Sequence, residues 1–583
     1  MKRLITLLVV LALCGAGAYA ATTYNAGGAQ KMGTLYQGWT PQIAREMWHK
    51  TQGADLIPVA FFRALRKPDG TSFSTNANLE RYGFISDAVS TENPYGWPIG
   101  FTANDGPKTH GIPQFGLTCT ACHTSYLEYK GTKVLIEGAG SLISAGPFVA
   151  SMNKTLIDTS VDAQRRAAFV KAAIGYGYPK ARIDGDLAAL VATLTKQAVV
   201  AAPVEKYTTP AGPGRVDALS GIVYNVMVKA LGVASNARRA IAPVNFPQIW
   251  DIWHLDWVQY NASVHQPMGR NVGEDIGLGA HLNIIDTSGR LNPAATRWKS
   301  SVRIRNLFWM ETQLENLKAP AWPTAIFGPI DQAKAARGRA LFAQNCARCH
   351  GISRIDGGNT WAVHTIPLDT IGTDPNQATA FAKATYDARK LGLSEHQSGP
   401  VGLAQIVENV KRQAYVDAGI PKSEWPKYDG FGRKMVVAAP CGYKARPLIG
   451  IWATAPFLHN GTVPSVFDML SDTRPAHPII GNPEFDPVKL GQVQQSTPST
   501  LTIDTSLPGN SNVGHWWTND KTRKGRIGPA LTDTQKYEII EYLKIADYQN
   551  YPTKTVSGSY PQPCAGNLHW ADGADLNLRI NAN

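Results

Sequence analysis

Apolar residues recur with helical spacing in several parts of the chain. Residues 331–345 form an alanine-rich helical pattern in which Asp331 is placed to cap the first turn. Near the C-terminus, residues 532–535 read Thr-Asp-Thr-Gln, which is a capping box, and Ile539, Ile540 and Leu543 continue it as an apolar stripe. The same periodicity predicts further helices within 40–66, 162–174 and 187–204.

Strand patterns are much weaker, and only residues 126–146 look like strand and turn. The 54 glycines and 38 prolines indicate long ordered loops around the helices. These patterns predict a mostly α-helical protein with long loops and an enlarged N-terminal half.

The first twenty residues have the pattern of a cleaved signal peptide. Lys2 and Arg3 precede the apolar run 4–13, and residues 18–20 read Ala-Tyr-Ala, a small-residue cleavage site. We therefore expect residues 1–20 to be removed and the mature protein to be periplasmic or secreted. No later run of about 18 apolar residues is evident, so no membrane span is expected.

The formal net charge of +13 stays positive when Lys2 and Arg3 are removed. A basic protein can favour acidic partners, but no block of five or more like charges is present. We interpret the charge as a solvated basic surface and expect no nucleic-acid partner.

Two copies of Cys-x-x-Cys-His, at 119–123 and 346–350, carry the chemistry. This spacing lets two thiols bind the vinyl groups of one porphyrin while the adjacent imidazole binds its iron. The alternative is a zinc site, but zinc ribbons separate their cysteine pairs by about 15–20 residues, and these pairs lie far apart. We predict two covalent haem c groups, held by Cys119, Cys122, His123, Cys346, Cys349 and His350.

The helical pattern that leads into the second motif and the capped terminal helix frame a cytochrome c domain. We place this domain at 326–550, after the proline-rich stretch 320–323. The N-terminal haem domain, with insertions, then covers 21–325, and 551–583 is a C-terminal extension.

Two cysteines of the mature chain stay unassigned, Cys441 and Cys564. In an oxidising compartment the default is a disulfide between them, which would tie the extension to the body and contribute about 2–4 kcal/mol. Two independent free thiols are the alternative.

The second haem needs a ligand opposite His350. His515 lies in a loop rich in glycine and asparagine just before the terminal helix. A cytochrome c fold usually supplies its sixth ligand from this region, so His515 is the first candidate, with Met435 and His459 as alternatives.

No histidine lies between Thr124 and Trp253, so a nearby ligand opposite His123 is not expected and that iron is open or covered by later residues. His265 and Glu274 are candidate polar groups there, against the alternative that they are core or surface residues. Trp250, Trp253 and Trp257 are candidates for a position between the haems, although any one tryptophan is more often part of the core.

Residues 446–465, which read RPLIGIWATAPFLHNGTVPS, resemble a signature of the bacterial dihaem cytochrome c peroxidase superfamily. The chain length and segments 118–131 and 212–279 are similar to the rubber-oxygenase branch, secreted dihaem dioxygenases that cleave polyisoprene. The resemblance implies that the His123 haem binds oxygen and that a histidine matching His515 caps the His350 haem. Peroxidases of the superfamily usually have methionine there and a distal histidine soon after the first motif, which this chain lacks.

The resulting hypothesis is an exported dihaem oxidoreductase that activates O₂ or peroxide at the first haem, with the second haem as an electron relay and an apolar unsaturated molecule as substrate. One alternative is a peroxidase that reduces hydrogen peroxide with electrons from a small donor cytochrome. Another is an electron-transfer cytochrome with both irons capped. By analogy with the superfamily a calcium ion could lie between the haem domains, although no acidic loop requires one.

Overall fold

The two helices that frame the second haem motif cross at close contact in the computed structural model, which describes residues 24–25, 31–104, 111–558 and 571–572. Helix Gln332–Asn345 packs against helix Asp533–Ile545. They meet at Gly338, where a Cβ atom would lie 1.8 Å from the Glu538 carbonyl oxygen. Only glycine allows this approach, which fixes the helix that delivers Cys346.

Both framing helices begin as the sequence predicts. Asp331 accepts a hydrogen bond from the Lys334 amide at 3.0 Å. Thr532 and Gln535 bind each other's backbone amides in a capping box. The side chains that satisfy the first amides were therefore identifiable from local sequence alone.

The described part of the chain contains eight further helices of eight or more residues. Segment 40–66, expected to be helical, contains two helices separated by a short strand. The helix predicted at 162–174 is confirmed within one residue at each end. The helix predicted at 187–204 is also confirmed, but it begins four residues earlier and ends one residue later. The helices of eight or more residues besides the framing pair are Pro41–His49, Ala145–Val161, Ala163–Gly175, Ile183–Glu205, Pro267–Leu278, Ile304–Leu314, Asn376–Lys383 and Gly399–Asp417.

Short helices fill the loops between these elements. The α-helical ones are Val59–Ala64, Asn76–Leu79, Cys119–Cys122, Ala218–Val223, Ala294–Arg297, Thr324–Phe327, Ala347–His350, Leu368–Ile371, Trp425–Asp429 and Val466–Met469. Tyr224–Ala230 is a π-helix, and the 3₁₀ turns are Glu80–Tyr82, Ala234–Asn236, Arg389–Leu391, Lys422–Glu424 and Ile451–Ala453.

Two sheets belong to the N-terminal half. One has the strand order Tyr24–Asn25, Lys31–Thr34, Thr132–Glu137 and Thr124–Tyr129. In the last pair Thr124 lies opposite Glu137 and Tyr129 opposite Thr132. The other sheet has the order Ile57–Pro58, Gln114–Leu117 and Phe101–Asn104.

The other strands form two-stranded ladders. They are Arg215–Val216 with Val244–Asn245, Ile352–Ile355 with Thr553–Val556, His364–Pro367 with Gly442–Ala445, Thr385–Tyr386 with Gln397–Ser398, Val436–Val437 with Ala571–Asp572, Ile479–Ile480 with Leu501–Thr502, Phe485–Asp486 with Gly491–Gln492, and Trp516–Trp517 with Arg526–Gly528.

The expectation of a mostly helical protein is only partly correct. Helix accounts for 40% and strand for 16% of the structure, so the fold is mixed. The strands were missed because most have two to four residues, too few to show an alternating pattern. The helical frame around the second haem motif is as predicted.

Buried apolar residues form two clusters. The smaller lies between Ile57 and Leu187 with Phe246, and the larger contains residues from both sides of position 325. The proposed boundary at 325 therefore does not divide the larger cluster, and the domain limits stay a prediction.

The expectation that no later segment spans a membrane stays a prediction, although one helix meets the criteria for a span. Helix Ile183–Glu205 is long and apolar enough by length and composition, and only 6% of its apolar window is buried. A single such helix is weak evidence for a span. The predicted signal peptide, residues 1–20, lies outside the described residues.

Candidate functional site

The second haem motif follows directly from helix Gln332–Asn345. Cys346 ends that helix, and Ala347–His350 forms one further turn that carries Cys349 and the imidazole of His350. The Nδ1 atom of His350 lies 2.8 Å from the Arg446 carbonyl oxygen. A ring that donates from Nδ1 to a carbonyl leaves the Nε2 lone pair free for a metal, as proximal ligands require.

His515 faces His350 across the site. Their ring centroids are 6.3 Å apart, with the ring planes at 62°. Two metal–nitrogen bonds of about 2 Å, plus one ring radius on each side, account for a separation of this size. The two imidazoles therefore stand where the two axial ligands of one iron would stand.

The backbone around His515 is held in an unusual conformation. His515 has a φ of 51°, a left-handed value that costs a non-glycine residue about 1–2 kcal/mol. Its amide donates to the Ile371 carbonyl at 2.8 Å, and Gly514 allows the loop to touch the backbone of Gly372. Burial lowers the pKa of His515 to about 3, which keeps the imidazole neutral and able to bind a metal.

A cavity of about 550 Å³ lies around these two imidazoles. This size falls within the usual range of cofactor pockets. Its walls are mostly apolar, with Phe342, Ile539 and Leu543 from the framing helices, and it also contains Cys346 and Cys349.

Several buried donors that line the cavity have no partner within the described structure. They include Gln248 Nε2 and Trp517 Nε1. Unsatisfied buried donors beside two thiols and two facing imidazoles match a large flat cofactor with polar substituents. The residues present therefore fit haem c.

The two alternative ligands occupy other positions. Met435 packs against Gly269 of helix Pro267–Leu278, where an added Cβ would lie 2.3 Å from its sulfur. His459 lines the cavity but stacks on Tyr443, with ring centroids 3.9 Å apart. His515 is the candidate that faces His350.

The first haem motif repeats the arrangement of the second. Cys119–Cys122 forms one helical turn, and His123 Nδ1 lies 2.9 Å from the Pro247 carbonyl oxygen. Burial lowers the pKa of His123 to about 4, so its Nε2 is also free of a proton at neutral pH. Cys119 Sγ lies 3.0 Å from Gln52 Oε1, a contact that no sequence motif indicated.

Glu274 lies beside the first motif. It acts electrostatically on both Cys119 and Cys122, and burial raises its own pKa while Arg270 opposes the shift. Glu274 lies deep in the protein, but 39% of its side chain is accessible. Gln259 Nε2 donates to Glu274 Oε1 at 3.1 Å and holds the carboxylate in place.

His265 lies elsewhere in the structure. Its Nδ1 is 2.7 Å from the Asp256 carbonyl oxygen, and its ring packs on Trp257 at 4.9 Å. Burial lowers its pKa to about 4. These contacts place His265 against Asp256 and Trp257, whereas Glu274 lies beside the first motif.

Trp250 is a core residue. It is fully buried, its Nε1 donates to the Ile449 carbonyl at 3.0 Å, and its ring packs close to Gly138 and Gly450. Trp257 is buried as well, and Trp253 stacks on His254 with ring centroids 3.6 Å apart. The structure thus places these tryptophans mainly in packing roles.

A short chain of hydrogen bonds connects the two proximal histidines. His123 binds the Pro247 carbonyl, and the next carbonyl, that of Gln248, accepts a bond of 2.7 Å from Arg446 Nη1. The carbonyl of the same Arg446 binds His350. The sequence did not predict this link, because it depends on backbone carbonyls. Arg446 and Pro247 do lie in two segments that the sequence singled out, 446–465 and 212–279.

The calcium site and the disulfide expected from the sequence involve residues that the structure describes only in part. Among the described residues no cluster of three or more His, Cys, Asp or Glu side chains suits a metal ion, so nothing supports a calcium site. Cys441 is disulfide-bonded, but Cys564 lies outside the described residues and the pairing stays a prediction.

Comparisons with known proteins agree with haem c binding. A family described as "RoxA-like, cytochrome c-like" matches residues 442–477, and one described as "Cytochrome C oxidase, cbb3-type, subunit III" matches residues 333–390. The uncharacterized protein y4iJ of Sinorhizobium fredii is 34% identical over 569 residues, covering 88% of this chain and 93% of its own length. A second protein of that organism, y4iM, is 26% identical over 321 residues, covering 52% of this chain and 64% of its own length.

Proposed function

The chain belongs to the same family as the Sinorhizobium fredii protein y4iJ and contains cytochrome c domains, which imply covalently bound haem c. On that premise we propose that it is an exported dihaem oxidoreductase. The observation that carries the proposal is the contrast between its two motifs. His350 faces a second imidazole, whereas no histidine faces His123 within the described contacts.

At the second site, His350 and His515 would together hold the iron of a haem attached at Cys346 and Cys349. Their neutral imidazoles would leave no coordination position for O₂ or peroxide, so this site carries electrons. The apolar walls of the cavity exclude water, which lowers the reorganisation energy of electron transfer at this site. The strained backbone at His515 is consistent with a functional position.

At the first site, His123 would hold the haem iron, and no other histidine faces it among the described contacts. A haem attached at Cys119 and Cys122 would supply an iron at which O₂ or peroxide can be activated. Glu274 is a titratable group beside this site, and burial raises its pKa, which suits the carboxyl group to hold a proton there. Arg270, which is paired with Glu311, supplies a fixed positive charge next to Glu274.

The link through Pro247, Gln248 and Arg446 gives the two sites a direct connection. It joins the two imidazoles that would bind iron through the backbone of Pro247 and Gln248 and the side chain of Arg446, which offers a route for electrons between the two sites. This arrangement suits a division of labour between a reactive haem and an electron reservoir.

The substrate is proposed as an apolar unsaturated molecule. The support is the resemblance to the rubber-oxygenase branch, together with the RoxA-like match at residues 442–477. The absence of a histidine between Thr124 and Trp253 also separates this chain from the usual peroxidase pattern.

Oxygen uptake tests this function. The purified protein with an unsaturated polyisoprenoid should consume O₂ without added peroxide and release carbonyl products. Consumption of hydrogen peroxide with a reduced cytochrome, and no O₂ uptake, would replace the oxygenase with a peroxidase. Neither activity, in a protein that mass spectrometry shows to carry two haems, would leave an electron carrier.

A further inference from the structure

One end of the second haem cavity is polar. Gln248, Tyr260, Lys444 and Arg446 line it together. Strand Gly442–Ala445 brings Lys444 there, and the Lys444 amide donates to the Tyr260 carbonyl at 2.8 Å. The framing helices supply apolar lining residues instead, namely Phe342, Ile539 and Leu543.

Burial, together with the like charges of Arg446 and Arg270, lowers the pKa of the Lys444 ammonium group well below its usual value, and no carboxylate among the described residues is in contact with it. Within the described residues its ammonium group forms neither an ion pair nor a side-chain hydrogen bond. The charges that act on it include Arg446 and Arg270, which are of like sign, with Asp256 and Glu274 contributing less. An ammonium group in such a place is costly unless an anion accompanies it.

Hydrogen-bond donors surround the same position. Gln248 Nε2 is buried without a partner, and Gln248 as a whole is only 6% exposed. Arg446 uses both terminal nitrogens on the carbonyls of Gln248 and Trp250, while its Nε is unpartnered in the described structure. The Tyr260 hydroxyl likewise has no hydrogen-bond partner among those residues.

We propose that this polar end is a carboxylate subsite that receives a propionate of the haem on His350, with Lys444 as its counter-charge and Gln248 and Tyr260 as donors. The inference rests on haem attachment at Cys346 and Cys349, which is part of the proposed function. A free carboxylate from outside would have to share a cavity already filled by the porphyrin, so a propionate is the fitting anion.

Lys444 also lies within electrostatic reach of groups beside the first motif, namely Arg270 and Glu274. Its positive charge therefore contributes to the potential of the second haem and, more weakly, to that of the first. Removal of a nearby positive charge favours the oxidised iron, which carries one more positive charge than the reduced iron. The reduction potential of the His350 haem should fall when Lys444 is neutralised.

The test is a spectroelectrochemical titration of the holoprotein and its variants. Lys444→Gln should lower the equilibrium constant for reduction of the low-spin haem about tenfold, which is about 59 mV for one electron. Lys444→Arg should stay close to the wild type because it keeps the charge. Lys411 is the control: it is a buried lysine already balanced by Glu408 and Asp429, and Lys411→Gln should leave the potential unchanged.

A second measurement keeps the proposal testable if Lys444→Gln does not fold. The propionate bending band in the resonance Raman spectrum should move in Gln248→Leu and in Lys444→Arg, since both alter the bonds to the carboxylate. Unchanged potentials and an unmoved band, in variants with two attached haems, would overturn the propionate subsite alone. If the wild-type protein carries no haem at the second motif, the proposed function itself is overturned.

Discussion

The guanidinium group of Arg446 holds the carbonyl oxygen of Gln248 at 2.7 Å. The carbonyl of Arg446 binds His350, and the residue before Gln248 binds His123. One arginine therefore connects the backbone segments that orient both proximal ligands. Its side chain is the part of this link that a substitution can remove.

Replacement of Arg446 by glutamine should slow electron transfer between the two haems while both stay attached. The reason is that the substitution breaks the bond to Gln248 but leaves the carbonyl that orients His350. Flash photolysis or stopped-flow reduction, followed at wavelengths that separate the haems, measures this rate.

Arg433→Gln is the matched control. Arg433 is also a buried arginine whose guanidinium holds two backbone carbonyls, those of Leu255 and Trp253. Each substitution removes charged hydrogen bonds to two carbonyls and should cost about 2–4 kcal/mol of unfolding free energy. If the two variants show equal inter-haem rates, Arg446 has only a structural role.

Glu274→Gln should slow the reaction of the first haem with O₂ or peroxide by about 10²–10⁴-fold, the usual contribution of a general acid–base group. Binding of carbon monoxide by the reduced protein should not change, because the iron and its ligand are intact. The control is His265→Asn, which removes a ring that packs against Trp257 and should react like the wild type. A slow His265→Asn variant beside a normal Glu274→Gln variant would reverse this assignment.

Glu137 should make the stability of the protein depend on pH. Its carboxylate accepts bonds of 3.1 Å from Trp48 Nε1, and burial raises its pKa from 4.5 to about 7. The folded state therefore binds the Glu137 proton more tightly than the unfolded state. Its contribution to stability is fully present below pH 4.5 and is lost as the pH rises through 7.

Glu137→Gln should remove this loss. At pH 8 the variant should be more stable than the wild type by up to about 3 kcal/mol, and the difference should vanish near pH 4. Chemical denaturation at the two pH values measures it. Equal stability of the two proteins at pH 8 would show that the ionised carboxylate is not destabilising.

Local sequence was enough to predict the features that depend on neighbouring residues. The spacing of Cys346, Cys349 and His350 and the caps at Asp331 and Thr532 are of this kind. His515 was identifiable because it lies just before the terminal helix, whose position the capping box fixes. In each case residues close in sequence determine the geometry.

Contacts between distant segments could not be predicted in the same way. The carbonyls of Pro247 and Arg446 belong to the backbone and leave no pattern of side chains. Glu274 and His265 looked equivalent in the sequence, and only the direction of helix Pro267–Leu278 brings Glu274 to the first motif. Trp250 followed the general tendency of tryptophan to be buried in the core.

The central claim is that His515 closes the second iron while the first iron stays open, and carbon monoxide binding tests it most directly. The reduced wild-type protein should take up about one carbon monoxide per two haems, and the oxidised protein should show one low-spin and one high-spin haem. His515→Ala should raise the uptake toward two and remove the low-spin signal. No uptake by the wild type, or a low-spin signal that persists in His515→Ala, would contradict the account.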